Sequence, residues 1–159
     1  MKTATVSIIK KELKHLSQEE MIELVLRLSK FKKENKELLT YLLFEESSES
    51  SYVESVKQEI DDTFETINIS SYFFIKKSVR KILRLVKKYI RYSNNKETEV
   101  ELMLYFCFKL KAMYPPMKRD IVLHNIYLRQ IEASKKSISK LHEDLQYDFE
   151  RELEKIEDY

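Results

Sequence analysis

Apolar residues recur at helical spacing along most of the chain, and no stretch shows the strict alternation that is typical of a half-buried strand. Ser17 and Glu20 have the spacing of a capping box and open a helix that runs to about Lys33. A narrow apolar stripe over residues 53–67 indicates another helix. The pattern predicts an all-α protein, a bundle or short array of antiparallel helix pairs with about seven or eight helices.

The corners between these helices are predicted to fall on asparagine and proline. The chain has no glycine, the residue that adopts positive φ with least strain. Asn35, Asn68 and Asn94–Asn95 are therefore expected to end or cap helices, and Pro115–Pro116 to stop one. Without glycine the chain also lacks the P-loop, the dinucleotide-binding turn and the nucleophile elbow.

The C-terminal quarter of the chain predicts one long helix over residues 117–157, because its apolar residues stay on one side and no strong breaker interrupts them. A helix of about 40 residues is about 60 Å long and has to protrude from a compact domain or break. A break is easiest at Ser134–Ser139, where serine side chains compete for backbone hydrogen bonds. Uncovered apolar positions on this helix predict self-association, as a homodimer, or a docked protein partner through residues 117–156.

Length and composition favour a single helical domain over residues 1–159, with a sub-boundary at the serine-rich run of residues 47–51, which is predicted as a loop. The longest uncharged apolar run, Leu102–Phe108, is too short for a transmembrane segment. Charged residues interrupt the N-terminal region where a signal sequence needs an apolar core. We therefore expect a cytoplasmic protein.

Charge segregation is the clearest indication of a binding surface. The segment from Lys76 to Arg91 contains eight cations and no acid. At 100° per residue the cations fill an arc of about 140°, opposite a cluster of apolar residues. The candidate binding surface consists of these cations and two flanking tyrosines: Lys76, Lys77, Arg80, Lys81, Arg84, Lys87, Lys88, Arg91, Tyr89 and Tyr92.

Several interpretations of this basic helix remain open. It is a solvated face that pairs internally, a surface for nucleic acid or an anionic membrane, or a docking face for an acidic protein. Residues 45–65 and residues 143–158 each carry eight carboxylates, which favours internal neutralisation by the helices on either side. The C-terminal acidic segment would instead be autoinhibitory if it competes with an acidic ligand. The aromatic residues in the middle of the chain are expected mostly to fill the core, with Tyr89 and Tyr92 as exceptions that could stack on bases.

Residues that could support catalysis or bind a metal are sparse. Cys107 lies among apolar neighbours without a local cation, which indicates a buried thiol and not a nucleophile. His15, His124 and His142 each have at most one carboxylate at a useful spacing. We expect no enzymatic activity, no cofactor and no bound metal.

Three segments resemble a family of short uncharacterised all-helical proteins of Bacteroidota, namely Ile75–Ile90, Glu99–Cys107 and Leu141–Asp148. The resemblance covers roughly residues 70–153, with a weaker likeness over residues 10–46. It implies an all-helical cytoplasmic bacterial protein without an assigned activity or site. The predicted function is that of a non-enzymatic interaction or scaffold protein acting through a helix face or groove, with nucleic-acid binding through residues 76–91 as the alternative.

Overall fold

The chain folds almost entirely into helices. The computed structural model describes residues 1–157, and no residue of this range lies in a strand. The α-helices are α1 (Val6–Leu13), α2 (Gln18–Phe31), α3 (Lys33–Thr40), α4 (Glu49–Glu65), α5 (Tyr72–Ser93), α6 (Lys96–Ala112), α7 (Ile121–Ile138) and α8 (Glu143–Glu157). Tyr41–Glu45 forms a π-helical turn, whereas Glu46–Ser48 and Met117–Arg119 form 3₁₀ turns. The predicted all-α class is confirmed.

The chain divides into two compact units, Met1–Phe44 and Glu45–Tyr159. The division lies just before residues 47–51. This serine-rich run was predicted to be a loop, and that prediction is wrong. The run enters a 3₁₀ turn and then the first turn of α4. The Ser48 hydroxyl donates to Ser51 Oγ at 2.8 Å, in keeping with the preference of serine for helix N-termini.

The first unit contains few buried side chains. Its helices α2 and α3 pack against each other, and the Asn35 side-chain amide joins them by donating to the Leu28 carbonyl at 2.8 Å. Among residues 1–44, all of which the structure describes, Tyr41 is the one buried side chain. Apolar side chains of α2, including Leu24 and Phe31, remain exposed.

A local signal sets the start of α2, whereas none sets the break between α2 and α3. The capping box of Ser17 and Glu20 is confirmed, with the Ser17 amide donating to the Glu20 carboxylate at 2.7 Å. The predicted helix break at Asn35 is wrong. The chain is extended at Lys32, with φ −141° and ψ 148°, and Asn35 lies inside α3. Its side chain serves the α2–α3 contact, so no left-handed turn is required there.

In the second unit, α6 is the central helix and packs against α4, α5, α7 and α8. The buried residues of α6 lie around most of its circumference, so this helix has to be surrounded by others. Its buried residues are Thr98, Val100, Leu102, Met103, Leu104, Phe106, Cys107 and Leu110. Neither α6 nor any other helix within residues 1–157 has the length and apolar character needed to cross a membrane.

Asparagine and proline form the corners around α6 as predicted. Asn94 ends α5 in the left-handed region at φ 52°, the one positive φ found among residues 1–157. Asn95 then caps α6 by accepting the Glu97 amide at 2.9 Å, and α6 ends at Ala112, shortly before Pro115–Pro116. A glycine-free chain therefore makes this left-handed corner with asparagine, the residue besides glycine that best tolerates the conformation.

The single helix predicted over residues 117–157 is wrong. The segment begins with a 3₁₀ turn, and α7 ends at Ile138 whereas α8 begins at Glu143. The Gln146 side-chain amide donates to the Leu141 carbonyl at 2.7 Å and satisfies a backbone group left open by the break. Because the break lets α8 fold back onto α6 and α7, its apolar stripe is covered within the same chain.

This arrangement covers most of the apolar side chains on which the prediction of self-association through residues 117–156 was based. Ile131, Ile138, Phe149 and Ile156 are buried, whereas Ile121 and Leu128 remain exposed. Self-association through this segment stays a prediction.

Candidate functional site

The basic helix α5 has one side in the core and the other in solvent. Its apolar side chains Ile75, Val79, Ile82 and Val86 are fully buried, and the helix packs against α4, α6 and α7. This burial fixes the rotation of α5 about its axis. The opposite side, which carries the cations, is therefore directed outward.

Six of the eight predicted cations are exposed and the other two are half-buried. We call the exposed set the basic face; it consists of Lys77, Arg80, Lys81, Arg84, Lys87 and Arg91. These six residues lie within an arc of about 120° and along about 21 Å of the helix axis. None of them forms an ion pair with any of residues 1–157. No acidic residue occurs between Glu65 and Glu97, so the face carries one sign of charge.

Lys76 and Lys88 were predicted for the same surface but make contacts at its edges. The Lys76 ammonium lies 3.0 Å from the Asp120 carboxylate, at the start of α7. The Lys88 ammonium lies above the rings of Tyr89 and Tyr92, at 4.8 and 5.9 Å from their centroids. Lys76 thus joins α5 to the start of α7, whereas Lys88 contacts two aromatic rings of its own helix.

The prediction that Tyr89 and Tyr92 are available to stack on bases is wrong for Tyr92, which is only 7% exposed. Tyr89 is half-buried, and its hydroxyl donates to the Glu59 carboxylate of α4 at 2.6 Å. Its ring also packs edge-on against Tyr52, with centroids 6.4 Å apart. The cluster joins α4 to α5, because an amphipathic ring can fill a gap between helices while its hydroxyl finds a polar partner.

The two acidic segments do not neutralise the basic face as the sequence suggested. Asp61 of α4 pairs with Lys109 of α6 at 3.0 Å. Lys57 of α4 pairs with Glu101 of α6 and with Glu54 of its own helix. Glu59 faces α5, but it accepts from the Tyr89 hydroxyl and pairs with no cation of the basic face. The final helix packs on α6 and α7, where Glu157 pairs with Lys135 at 2.6 Å. Asp158, the last residue of the predicted acidic segment, lies outside the described residues.

Two aromatic residues on the exposed side of α5 were expected in the core. Phe73 and Phe74 are 68% and 42% exposed and pack edge-on against each other, with centroids 5.3 Å apart. The side from which Phe73 projects could have been read from the helical register. Phe73 precedes Arg91 by 18 residues, or five full turns, and therefore projects from the same side of the helix.

The thiol and the histidines do not assemble a reactive centre among residues 1–157. Burial raises the pKa of the Cys107 thiol to about 12, and the side chain is fully buried, as predicted. No three His, Cys, Asp or Glu side chains of the described range lie together as metal ligands would. Asp120, the predicted neighbour of His124, instead caps α7 by accepting the Val122 amide at 2.9 Å.

Fold and site together define an all-helical protein whose exposed basic helix face has no ion-pair partner within residues 1–157. No protein-family model matches the sequence, and comparison with curated proteins and with solved structures gave no match. The resemblance to the Bacteroidota proteins therefore stays a prediction.

Proposed function

We propose that this is a non-enzymatic binding protein that acts through a helix face, and that the basic face of α5 binds nucleic acid. The observation that carries the proposal is the absence of ion pairs at Lys77, Arg80, Lys81, Arg84, Lys87 and Arg91 within residues 1–157. Six exposed cations of one sign attract a polyanion and release its counterions on contact.

The geometry of the face supports a linear polyanion. Its six cations span about 21 Å of helix axis in five intervals, a mean spacing of about 4 Å. Each strand of a duplex carries about one phosphate per 3.4 Å of the duplex axis, so the two spacings are comparable. The buried side of α5 fixes the helix backbone, so the cost of ordering on binding falls on the cationic side chains and not on the backbone.

Salt-dependent binding tests this proposal. Labelled oligonucleotides are titrated with the full chain at two salt concentrations, and the comparison is made with the variant Arg80→Gln/Arg84→Gln/Lys87→Gln. We expect measurable binding at low salt, a steep negative salt slope, and a slope that is shallower by about 2 to 3 in the variant. Absence of binding at low salt would rule the proposal out.

A matched control separates this face from net charge alone. Arg129, Lys136 and Lys140 are exposed and make no ion pair with residues 1–157. The variant Arg129→Gln/Lys136→Gln/Lys140→Gln therefore loses the same charge from another surface. It should bind as the unmodified chain does. Equal weakening in both triple variants would show non-specific attraction and contradict a defined interface.

We propose, as a second function, self-association through α2 of the first unit. Leu24, Leu28 and Phe31 are exposed on one side of this helix and line a shallow groove together with Arg27 and Lys30. Contiguous exposed apolar side chains with a charged rim are typical of protein–protein contacts. This surface is a second candidate for a homodimer beside residues 117–156, because more of its apolar side chains are exposed.

Charge along α2 favours a second copy of this chain as the occupant. The first half of the helix carries Glu19, Glu20 and Glu23, and the second half carries Arg27 and Lys30. Two copies related by a twofold axis, with their α2 helices antiparallel, place each acidic half against the basic half of the partner. The charge pattern of α2 is thus complementary to that of a second copy of the same helix.

Light scattering during gel filtration tests this function at tens of micromolar. We expect a dimer that becomes a monomer on Leu28→Asp, which introduces a charge at an exposed position and leaves the buried side chains unchanged. Val6→Asp, at an exposed position of α1, is the matched control and should leave the dimer intact. A monomer from the unmodified chain would overturn self-association.

A further inference from the structure

The exposed side of α5 carries aromatic rings as well as cations. Phe73 and Phe74 stand next to each other in the first turn of the helix and are 68% and 42% exposed. The next residue, Ile75, is fully buried and packs this turn against the core. Both rings, that of Phe73 above all, therefore present apolar surface to solvent.

The rings extend the basic face along the same line. At 100° per residue, Phe73 projects within about 40° of Lys77, Arg80, Arg84, Lys87 and Arg91. Phe74 projects within about 20° of Lys81. From Phe73 to Arg91 the combined surface is about 27 Å long. One helix face thus presents two phenyl rings at its N-terminal end and six cations beyond them.

We infer that the nucleic acid bound by this face is single-stranded, with unpaired bases stacking on Phe73 and Phe74 while the cations contact the phosphates. This inference rests on the proposed nucleic-acid function. Proteins that bind single strands without reading sequence combine a positive track with aromatic side chains, because every base offers a π-face. In a duplex the base faces are covered by neighbouring base pairs, so the two rings would gain nothing there.

An anionic membrane is a poorer fit to the same surface. Amphipathic helices bind membranes by burying an apolar face along their length in the headgroup region. The apolar face of α5 is already buried in the second unit through Ile75, Val79, Ile82 and Val86. Only the two rings at one end remain for insertion, whereas the cations continue for about four turns beyond them.

Fluorescence provides a direct test, because the chain has no tryptophan. Phe73→Trp introduces a single indole on the proposed stacking surface, at an exposed position that tolerates the larger ring. We expect an oligothymidylate to quench the indole emission as it binds, since a base stacks on the ring. Heparin, a polyanion without bases, should bind through the cations without comparable quenching.

A second test measures the binding affinity of a variant that lacks both phenyl rings. Phe73→Ala/Phe74→Ala should weaken binding of a single strand about tenfold or more and leave binding of the matching duplex unchanged. Phe108→Ala removes an exposed phenyl ring from α6, outside the proposed interface, and should change neither affinity. Circular dichroism of each variant checks that the helices remain folded.

The outcomes separate this inference from the proposed function on which it rests. No binding of any nucleic acid at low salt would overturn both. Binding that is equal for single strands and duplexes, and unchanged in Phe73→Ala/Phe74→Ala, would retain the basic face as an interface and overturn base stacking. A blue-shifted Phe73→Trp emission with phosphatidylglycerol vesicles, without quenching by the oligonucleotide, would assign the rings to a lipid surface.

Discussion

The Lys76 ammonium and the Asp120 carboxylate lie 3.0 Å apart and join the first turns of α5 to the start of α7. Asp120 also accepts the backbone amides of Val122 and Leu123, at 2.9 and 3.1 Å. A single carboxylate thus caps one helix and fixes the position of another. Because Lys76 is drawn to Asp120, the basic face begins at Lys77.

Because of the Asp120 carboxyl group, the stability of the second unit should depend on pH. Partial burial raises the pKa of this carboxyl, but hydrogen bonds from Lys76 and from the Leu123 and Val122 amides outweigh it and hold the pKa below its ordinary value. A carboxylate with a lowered folded-state pKa stabilises the fold above its unfolded pKa, near 3.9, and stops doing so as pH falls through the folded value.

We therefore expect Asp120→Ala to lower the free energy of unfolding at pH 7 by about 1 to 2 kcal/mol, through loss of the cap and the ion pair. Asp120→Asn keeps a good capping residue and should lose less. Urea unfolding followed by circular dichroism at several pH values measures both. A difference between Asp120→Ala and the unmodified chain that persists undiminished at pH 2 would contradict this assignment.

Cys107 should report on unfolding of the second unit. Burial raises the pKa of its thiol to about 12, whereas an unfolded cysteine has a pKa near 8.5. The thiolate is the reactive species, so alkylation at pH 8 should be slower by at least about a thousandfold in the folded protein than in urea. Mass spectrometry after timed iodoacetamide treatment checks this. Rapid labelling of the native chain would show that α6 is more accessible than its packing indicates.

Asn94 should be replaceable by glycine but not by alanine. Its φ of 52° lies in the left-handed region, where a side chain with a Cβ and no compensating polar group is disfavoured by about 1 to 2 kcal/mol. We expect Asn94→Ala to destabilise the protein by about 1 kcal/mol and Asn94→Gly to leave its stability within about 0.5 kcal/mol, as measured by thermal and urea unfolding.

A matched control for Asn94 lies inside a helix. Asn125 is an exposed residue of α7, where alanine has the higher helix propensity. Asn125→Ala should therefore leave stability unchanged or raise it slightly. If Asn94→Ala behaves in the same way as Asn125→Ala, the left-handed corner is not a determinant of stability.

The second unit should fold without the first. Apart from Tyr41, the buried apolar side chains of residues 1–157 lie in the second unit. We expect a fragment of residues 45–159 to be helical and to unfold in one cooperative transition, because it keeps this core intact. A fragment of residues 1–44 should give no such transition. A non-cooperative or unfolded second fragment would show that the two units depend on each other for stability.

Much of the helical pattern and several corners were readable from the sequence because their causes are local. A capping box at Ser17, a left-handed corner at Asn94 and a stop before Pro115–Pro116 depend on groups only a few residues apart. The apolar run Leu102–Phe108 likewise lies mostly in the core, although Phe108 at its end is exposed. Its central position in the second unit follows from apolar residues around most of the helix circumference.

The sequence predicted which residues form the candidate site but not whether they are free to bind. The sequence determined that α5 has a basic side and an apolar side, since both follow from helical period alone. Whether acidic segments cover the cations depends on which helices pack beside α5 and which way their carboxylates turn. Asp61, for example, turns to Lys109 on α6.

The sequence by itself thus determined the all-α class, most of the helices and the charge pattern of α5. The tertiary structure decided that α8 folds back over α6, that Tyr92 is buried and Phe73 exposed, and that the basic face has no partner within residues 1–157. Helix formation and capping are set by neighbouring residues, whereas burial and ion pairing require residues from distant parts of the chain to meet. Their outcome depends on the packing of the whole unit.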